Sequence, residues 1–446
     1  MLRRFFHCQF RMASRIQWAL ARRLTPAGRL VAGALLGALV FGPNTRLTVG
    51  YQAFTLLLVL LTVAAACALV PPARLVVRRR LPRYATAGEA LTYRIALRNP
   101  GRRLARGLSL LEDLEDPRPT LAEFLATTEP DEARRNWFDR KLAWHRWAWL
   151  VARNRRITVG EHQVSEVPPG GEVEIRIDAV ARRRGRVRFR AITLARTDPL
   201  GLVRALRAVS APDTFLVLPR RHPVPELALP GARRYQPGGI ALASSVGDSE
   251  EFMSLREYRP GDPLKRVHWR SSARVGRAVV REYQDEFFVR HGLVLDTFMP
   301  PGADDRFEDA VSVAASFAAG VGGQESLLDL MFVGPDAYVF TAGRGVGQLE
   351  RMLEVLADVC PCVDRPFAAL HRLVAERHHG LSGIICVFLV WDDARRALVQ
   401  HLRALGVPAL TLLITDAADE FADEELTAEG VRRLRRGRIA EGLAAL

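Results

Sequence analysis

Apolar positions near the start of the chain come in unbroken runs rather than in alternation. Leu30 to Gly42 is an apolar run of thirteen residues, and Leu47 to Val70 is twenty-four residues without a charge. A helix crosses the hydrocarbon core with about 20 apolar residues, so the second run is long enough by itself. The first reaches that length if Leu24 to Gly28 joins it and Arg29 snorkels toward the headgroups. Pro43-Asn44-Thr45-Arg46 separates the runs as a tight turn. The pattern predicts a two-helix transmembrane hairpin over 24–70, with a re-entrant or interfacial segment as the alternative for the first run. The preceding segment, 1–23, is basic and partly apolar; a secretory signal peptide is its competing reading.

From 73 to 220 the period falls to two. Val173, Ile175, Ile177 and Ala179 alternate with Glu174, Arg176 and Asp178, the pattern of a half-buried strand. Further strands are predicted at Leu91–Arg98, Leu108–Leu114, Val187–Leu194, Leu202–Val209 and Thr214–Leu218. Turns at Asn99-Pro100-Gly101, Pro168-Pro169-Gly170-Gly171 and Asp198-Pro199 divide them. Short antiparallel strands at this spacing indicate a β-sandwich.

A stretch at 115–156 interrupts the sandwich and reads as helical. Trp137, Trp144, Trp147 and Trp149 are interleaved there with Arg and Lys, and Trp137, Trp144, Trp147 and Val151 fall on one helical stripe. That suits a membrane-surface helix with Trp at headgroup depth. The alternative is a helix covering one face of the sandwich.

After 289 strands and helices alternate. Strands are expected at Val289–Asp296, Ser326–Val333, Ile384–Trp391 and Ala409–Ile414. Helical patterns intervene at Phe307–Gly320, Gln348–Asp358, Phe367–Arg377 and Ala394–Leu405. That order implies a mostly parallel, doubly wound α/β domain over 289–416. An acidic run and a basic run fill 417–446, expected as a solvated charged tail. The predicted fold class is an α+β multidomain membrane protein: transmembrane helical hairpin, β-sandwich, a linker at 221–288, then the doubly wound α/β domain.

Charge sharpens the membrane reading and removes another. The chain of 446 residues carries a formal net charge of +15, yet residues 1–83 hold thirteen arginines and no Lys, Asp or Glu, leaving +2 for all the rest. A basic excess beside apolar runs is a membrane pattern, and it argues against nucleic acid as the partner that the charge would otherwise suggest. Arg3, Arg4, Arg11, Arg15, Arg22 and Arg23 precede the hairpin and Arg74, Arg78, Arg79, Arg80 and Arg83 follow it, with only Arg46 in its turn. The positive-inside rule then puts both termini and the soluble domains in the cytoplasm, under the inner membrane. Cys8, Cys67, Cys360, Cys362 and Cys386 are too few and scattered for a disulfide framework, which agrees with a reducing compartment.

Catalytic motifs are sparse. There is no nucleophile elbow, zinc-protease helix motif or phosphate-binding loop ending in Gly-Lys-Ser/Thr. Gly343 to Gly347 reads as a turn. Cys360-Pro361-Cys362 with His371 and Cys386 lacks the second close pair that zinc needs. No cofactor, metal or catalytic residue is assigned.

The densest cluster of specialised residues runs from Gly247 to Phe287. Arg259-Pro260-Gly261 is a turn, Asp262 stands at an N-cap position, and a helix is expected from Pro263 to about Arg274 with Gly276 closing it. Arg266, Arg270 and Arg274 recur every four residues on one face of that helix. A strand follows at Ala278–Tyr283. Glu251-Phe252, Leu255-Arg256-Glu257-Tyr258, Gly261-Asp262, Arg266, His268-Trp269, Ser272-Ala273-Arg274 and Val280-Arg281-Glu282 together resemble the signature of the domain-of-unknown-function 58 (DUF58) family of bacterial proteins. Thr197-Asp198-Pro199-Leu200-Gly201-Leu202 looks like that family's second motif. The α/β segment resembles a von Willebrand factor A domain, which often holds a divalent cation through Asp-x-Ser-x-Ser. Here the loop reads Asp296-Thr297-Phe298-Met299-Pro300, with both serines lost. The resemblance implies partnership with a MoxR-type AAA+ ATPase and other von Willebrand factor A proteins, alongside membrane lipid.

Two functions follow. One is a membrane-anchored adaptor whose signature residues Arg256, Tyr258, Gly261, Asp262, Arg266, His268, Trp269, Arg270, Ser272, Arg274, Arg281 and Glu282 bind a partner or hold domains together. The other is an enzyme acting on an anionic substrate through Asp262, His268 and the arginines.

Overall fold

The computed structural model describes residues 2–41, 48–130, 132–225, 251–260, 262, 264, 267–284, 289–299, 304–321, 326–342, 346–416 and 423–446. They fall into two compact units, Met1–Leu218 and Pro219–Leu446.

The first unit opens on helices α1 (Leu2–Arg23), α2 (Pro26–Phe41) and α3 (Thr48–Cys67). Residues 49–67 make a helix long and apolar enough to cross a membrane. Helix α2 has sixteen residues, about 24 Å of rise, which falls short of the hydrocarbon core at ~30 Å. Its apolar surface packs against α3. Length thus supports one full span; the turn expected at 43–46 lies outside the described residues.

The root of α2 is gripped by the 197–202 turn. The Asp198 carboxylate accepts from the backbone N–H groups of Leu200 at 2.9 Å, Leu202 at 2.8 Å and Val203 at 2.6 Å. Gly201, at φ +74°, takes the left-handed position that closes such a turn. The turn offers its carbonyls to Thr25: the Thr25 N–H donates to Leu202 O at 3.1 Å and the hydroxyl to Gly201 O at 2.5 Å. The same hydroxyl accepts from Gly28 N–H at 3.0 Å, capping α2 ahead of Pro26. A Cβ on Gly28 would sit 2.0 Å from Leu202 O. Only glycine permits this approach.

Strands β1 (Val76–Arg80), β2 (Tyr84–Thr86), β3 (Ala90–Arg98) and β4 (Leu108–Leu114) come next. Helices α4 (Leu121–Ala126), α5 (Trp137–Leu142) and α6 (Trp144–Asn154) then precede β5 (Ile157–Val159), β6 (His162–Val164), β7 (Glu172–Ala181), β8 (Gly185–Thr197) and β9 (Arg204–Leu218). The strands form two sheets, ordered β1-β3-β7-β5 and β2-β9-β8-β4-β6. Tyr93, Ile95, Leu97 and Ile177 of the first and Leu108, Leu110, Ile192, Leu194, Phe215 and Val217 of the second share one buried core, so the expected sandwich forms. The two strands expected at 202–218 are one, β9. It pairs with β8 through a bulge between Phe189 and Ala191, and Pro212 falls between the paired residues there, where no ladder N–H is required.

A buried ion pair ties the sheets. Arg79 of β1 donates to Glu112 of β4 through Nε at 3.1 Å and Nη2 at 2.7 Å, with both side chains 1% exposed. Tyr93 donates its hydroxyl to Glu112 at 2.8 Å, and the guanidinium lies over the Phe189 ring at 4.2 Å. Burial, with the Glu112 charge beside it, holds the Tyr93 hydroxyl protonated.

The helical insertion covers α1 rather than the sandwich. Phe124, Ala143, Trp147 and Leu150 form its core, with Phe10 of α1 packed on it. His7 donates to Pro119 O at 3.1 Å between the Phe124 and Trp147 rings. Arg146 is buried on Glu132, with its Nε donating at 2.8 Å.

The second unit begins its described helices and strands with a two-stranded sheet, β10 (Glu251–Glu257) and β11 (Val279–Gln284), around the short helix α7 (Trp269–Val275). Then come β12 (Val289–Leu295), α8 (Asp304–Val321), β13 (Ser326–Val333), β14 (Ala337–Ala342), α9 (Val346–Asp358), α10 (Ala368–Arg377), β15 (Gly383–Phe388), α11 (Asp393–Ala404), β16 (Ala409–Thr415), α12 (Asp423–Ala428), β17 (Val431–Arg435) and α13 (Ile439–Ala444). The sheet order is β14-β13-β12-β15-β16-β17. All its pairs are parallel except β13–β14. Val294, Met331, Cys386 and Leu413 pack with α10 and α11. Their neighbours Leu293, Leu330, Ile385 and Leu412 are equally buried; strand alternation turns them to the other face, and α8 packs against these same strands. Helices therefore cover both faces.

Of the charged tail expected at 417–446, the described residues 423–446 are instead part of this domain. Val431, Leu434, Ile439 and Leu443 are buried, and β17 extends the sheet beyond β16. Its arginines are partnered: Arg433 and Arg435 meet Asp423, and Arg436 meets Asp416 at 2.6 Å. Net charge hid these four apolar positions.

Glu112→Ala should cost about 3–5 kcal/mol, because it leaves Arg79 buried without its carboxylate. In a unit of this size that corresponds to a melting point lower by roughly 10 °C. Differential scanning fluorimetry of the full chain in detergent checks it.

Candidate functional site

The signature residues separate into an inner set that holds the motif together and an outer set that faces solvent. Arg256, on β10, makes a bidentate pair with Asp262, Nη1 to Oδ2 at 2.7 Å and Nη2 to Oδ1 at 2.8 Å. The Arg259 N–H donates to the same carboxylate at 2.9 Å. These bonds, Arg256 first, hold the Asp262 carboxyl down at about 2. Asp262 is not the N-cap of the α-helix: α7 starts at Trp269 and its N-cap position is His268. Competition from a bidentate guanidinium explains the difference, since it saturates the oxygens a cap would use.

His268 anchors the helix to the strand. Its N–H donates to Val279 O at 2.8 Å, and its ring Nδ1 shares a hydrogen bond with the Ser271 hydroxyl at 2.6 Å. Ser272 donates its hydroxyl to His268 O and accepts from Val279 N–H at 2.9 Å. Gly276, at φ +71°, closes α7 as expected. The Tyr258 N–H donates to Ala278 O at 2.9 Å. Arg281 and Glu282 lie on β11 opposite Leu255 and Ser254. Gly261 and Arg266 lie outside the described residues.

The outer set is Trp269, Arg270 and Arg274. Trp269 is 69% exposed, with Val275 and Leu264 exposed beside it in sequence. Arg270 and Arg274 are exposed, and neither has an ion pair among the described residues. The arrangement presents an aromatic ring and two guanidinium groups, the residue types that dominate binding hot spots. As a catalytic pair it is weak. An Asp262 carboxyl held near 2 and doubly engaged with Arg256 is a poor proton acceptor at neutral pH.

Of the tryptophans proposed for a membrane-surface helix, Trp147 is 2% exposed and belongs to the core of the insertion. Trp149 is half-buried, while Trp137 and Trp144 are 70% and 44% exposed. The single stripe does not exist, because Ala143 adopts φ 57° and breaks the segment into α5 and α6.

A further arrangement escaped the sequence reading. Asp296, fully buried at the end of β12, accepts from Arg395 of α11 at 3.0–3.2 Å through Nε and Nη2. Its oxygens also accept from Phe298 and Leu389 N–H. Burial raises the carboxyl and the Arg395 charge pulls it back, for a net value of about 6. Arg395 also donates to Asp392 at 2.6 Å and lies over the Phe367 ring at 4.1 Å. In a doubly wound sheet this crevice, at the carboxyl ends of the central strands, is where ligands bind. The residues do not fit a divalent cation. The Asp296 oxygens are committed to a guanidinium, and Thr297 donates its hydroxyl to Val333 O. The only prior signal for Arg395 was its place three residues after Asp392, the helix cap.

Addition of 10 mM Mg²⁺ or Mn²⁺ should leave the melting curve of the full chain unchanged. A site of micromolar affinity would add about 4 kcal/mol or more under that excess, so a clear upward shift lost in Asp296→Ala would contradict the assignment.

Comparison with known proteins agrees with the motif. Residues 254–436 match the family described as "Protein of unknown function DUF58". "Uncharacterized protein YeaD" of Bacillus subtilis (strain 168) is 27% identical over 267 residues, 58% of this chain. The alignment covers 64% of that relative's length. Among solved structures, the ASH / PapD-like domain of human CEP192 (PapD-like domain 7) is 10% identical, covering 33% of this chain and 88% of its own, at a TM-score of 0.17. The protein of "AvmM Catalyzes Macrocyclization in Alchivemycin A Biosynthesis" is 13% identical, covering 33% and 96%, at 0.18. The inner hydrogen-bonded set, the outer set from Trp269 to Arg274 and the Arg395 crevice all fall inside the region 254–436 that matches the DUF58 family.

Proposed function

We propose that this chain is a membrane-anchored cytoplasmic adaptor whose outer signature residues dock a protein partner. The observation that carries the reading is the split within the motif: Arg256, Asp262, His268 and Ser272 satisfy one another, while Trp269, Arg270 and Arg274 face solvent. Exposed guanidinium groups suit a carboxylate-bearing surface, by bidentate bonding. The family resemblance points to a MoxR-type AAA+ ATPase as that partner, with other von Willebrand factor A proteins in the same assembly. The six-stranded sheet with helices on both faces supports a von Willebrand factor A-like reading of residues 289–435, with Arg395 in place of a cation.

Anchoring rests on the apolar helix at 49–67 and on α2 beside it, taken together as the hairpin. Orientation rests on the arginines flanking them. The enzyme reading is weaker, because Asp262 is committed to Arg256.

Arg270→Glu should leave the fold intact, since reversal of an exposed charge changes stability by about half a kcal/mol or less. Partner recovery from solubilised membranes, read by mass spectrometry, should fall sharply, because like charges across an interface are disfavoured. Preserved recovery with lost cellular function, reproduced by His268→Ala, would favour the enzyme instead.

A further inference from the structure

Helix α1 is amphipathic with its apolar side facing outward. Phe6, His7, Phe10 and Ser14 make its buried or half-buried side, with His7 and Phe10 against the Trp147 cluster. Arg22 fastens its end to the sandwich through Asp113. Phe5, Met12, Ile16 and Leu20 recur at seven-, four- and four-residue steps and so share the opposite side. They are 58%, 59%, 49% and 49% exposed. Arg4, Arg11 and Arg15 form the next row around the helix, by the same steps. Arg4, Arg15 and Arg23 are exposed, with no ion pair among the described residues. Alongside, α5 packs on α1 and adds exposed Trp137 and Phe138, with the Lys141 ammonium over the Trp137 ring at 4.7 Å.

A surface helix of a water-soluble body turns its apolar row inward. This one does the reverse, and its side chains indicate what covers the row. Residues 1–83 contain no carboxylate, so every charge that α1 itself brings to the surface is cationic. The helix also leads directly into α2 through the Thr25 clamp, which holds its last turn beside the apolar helices. An apolar row, cationic flanks and a shared root with a membrane helix are the features of a helix lying in the plane of an anionic leaflet.

We propose that α1 is a second, in-plane membrane contact, with Phe5, Met12, Ile16 and Leu20 inserted at headgroup depth and Arg4, Arg15 and Arg23 on lipid phosphates. This rests on the membrane-anchor reading and adds to it a fixed cradle at the leaflet surface.

Spin labelling of the full chain in lipid nanodiscs tests both separately. Cys8→Ser, Cys67→Ser and Cys360→Ser remove the exposed thiols. Single labels are then placed through Ile16→Cys, Gln17→Cys and Val59→Cys, and collision with oxygen and with a nickel chelate is measured. With phosphatidylglycerol in the nanodisc, Ile16 should favour oxygen several-fold over Gln17, and the preference should shrink in pure phosphatidylcholine. Val59, within the apolar span, should be lipid-embedded in both. Nickel-accessible Ile16 with lipid-embedded Val59 would overturn the α1 contact and leave the anchor standing. Nickel-accessible Val59 would remove the anchor and the α1 contact together. An Ile16 label shielded from both reagents would mean that protein covers the row, and would also overturn the proposal.

Discussion

A guanidinium removed from water needs a carboxylate within hydrogen-bonding reach, and both units are assembled around that requirement. Arg79 meets Glu112 between the sheets of the sandwich, Arg146 meets Glu132 inside the helical insertion, and Arg395 meets Asp296 at the end of β12. Each pair joins segments distant in sequence, so each forms only when the surrounding chain is in register. Each is also joined by further groups: Tyr93 and Phe189, the Phe124 carbonyl, Asp392 and Phe367. Burying a pair contributes little net stability compared with an apolar substitute, but a broken pair is strongly unfavourable. These contacts therefore select one arrangement more than they strengthen it.

The crevice at Asp296 shows how that selection bears on function. A sheet of this topology offers a ligand site where its central strands end. Here an internal cation takes that position, on a stem anchored in α11. The charge is permanent, it cannot be chelated, and it cannot exchange with solvent. The exposed Trp269 and arginines of the signature lie apart from this pair, on the surface. The signature motif accordingly has two layers. Its inner residues make a rigid turn-helix-strand unit, and its outer residues are displayed by it.

Local periodicity made the regular elements legible. Strands such as Leu108–Leu114 and Ser326–Val333 were readable from their apolar patterns, and Gly276 announced the end of α7. Long-range choices were not legible. Whether Asp262 caps a helix or pairs with Arg256 depends on competition between partners that each look suitable in isolation. Trp147 and Trp137 belong to one aromatic, basic stretch, yet one is core and the other exposed, because Ala143 takes a left-handed conformation that no proline or glycine signalled. The last strand was hidden by its charges: Val431 and Leu434 are buried, while the arginines around them pair with nearby aspartates.

The grip of the Asp198 turn on Thr25 and Gly28 also has a consequence in time. Thr25 and Leu202 lie 177 positions apart. At a synthesis rate of about 5–20 residues per second, the receptor turn emerges roughly 10–35 seconds after the helix it receives. Helices α2 and α3 are therefore complete while the sandwich is still being made. Formation of these helices and attachment of the folded body to them are thus separate events in the birth of each molecule. The glycine at position 28 serves the second, by leaving a gap in the helix surface for a carbonyl that does not yet exist.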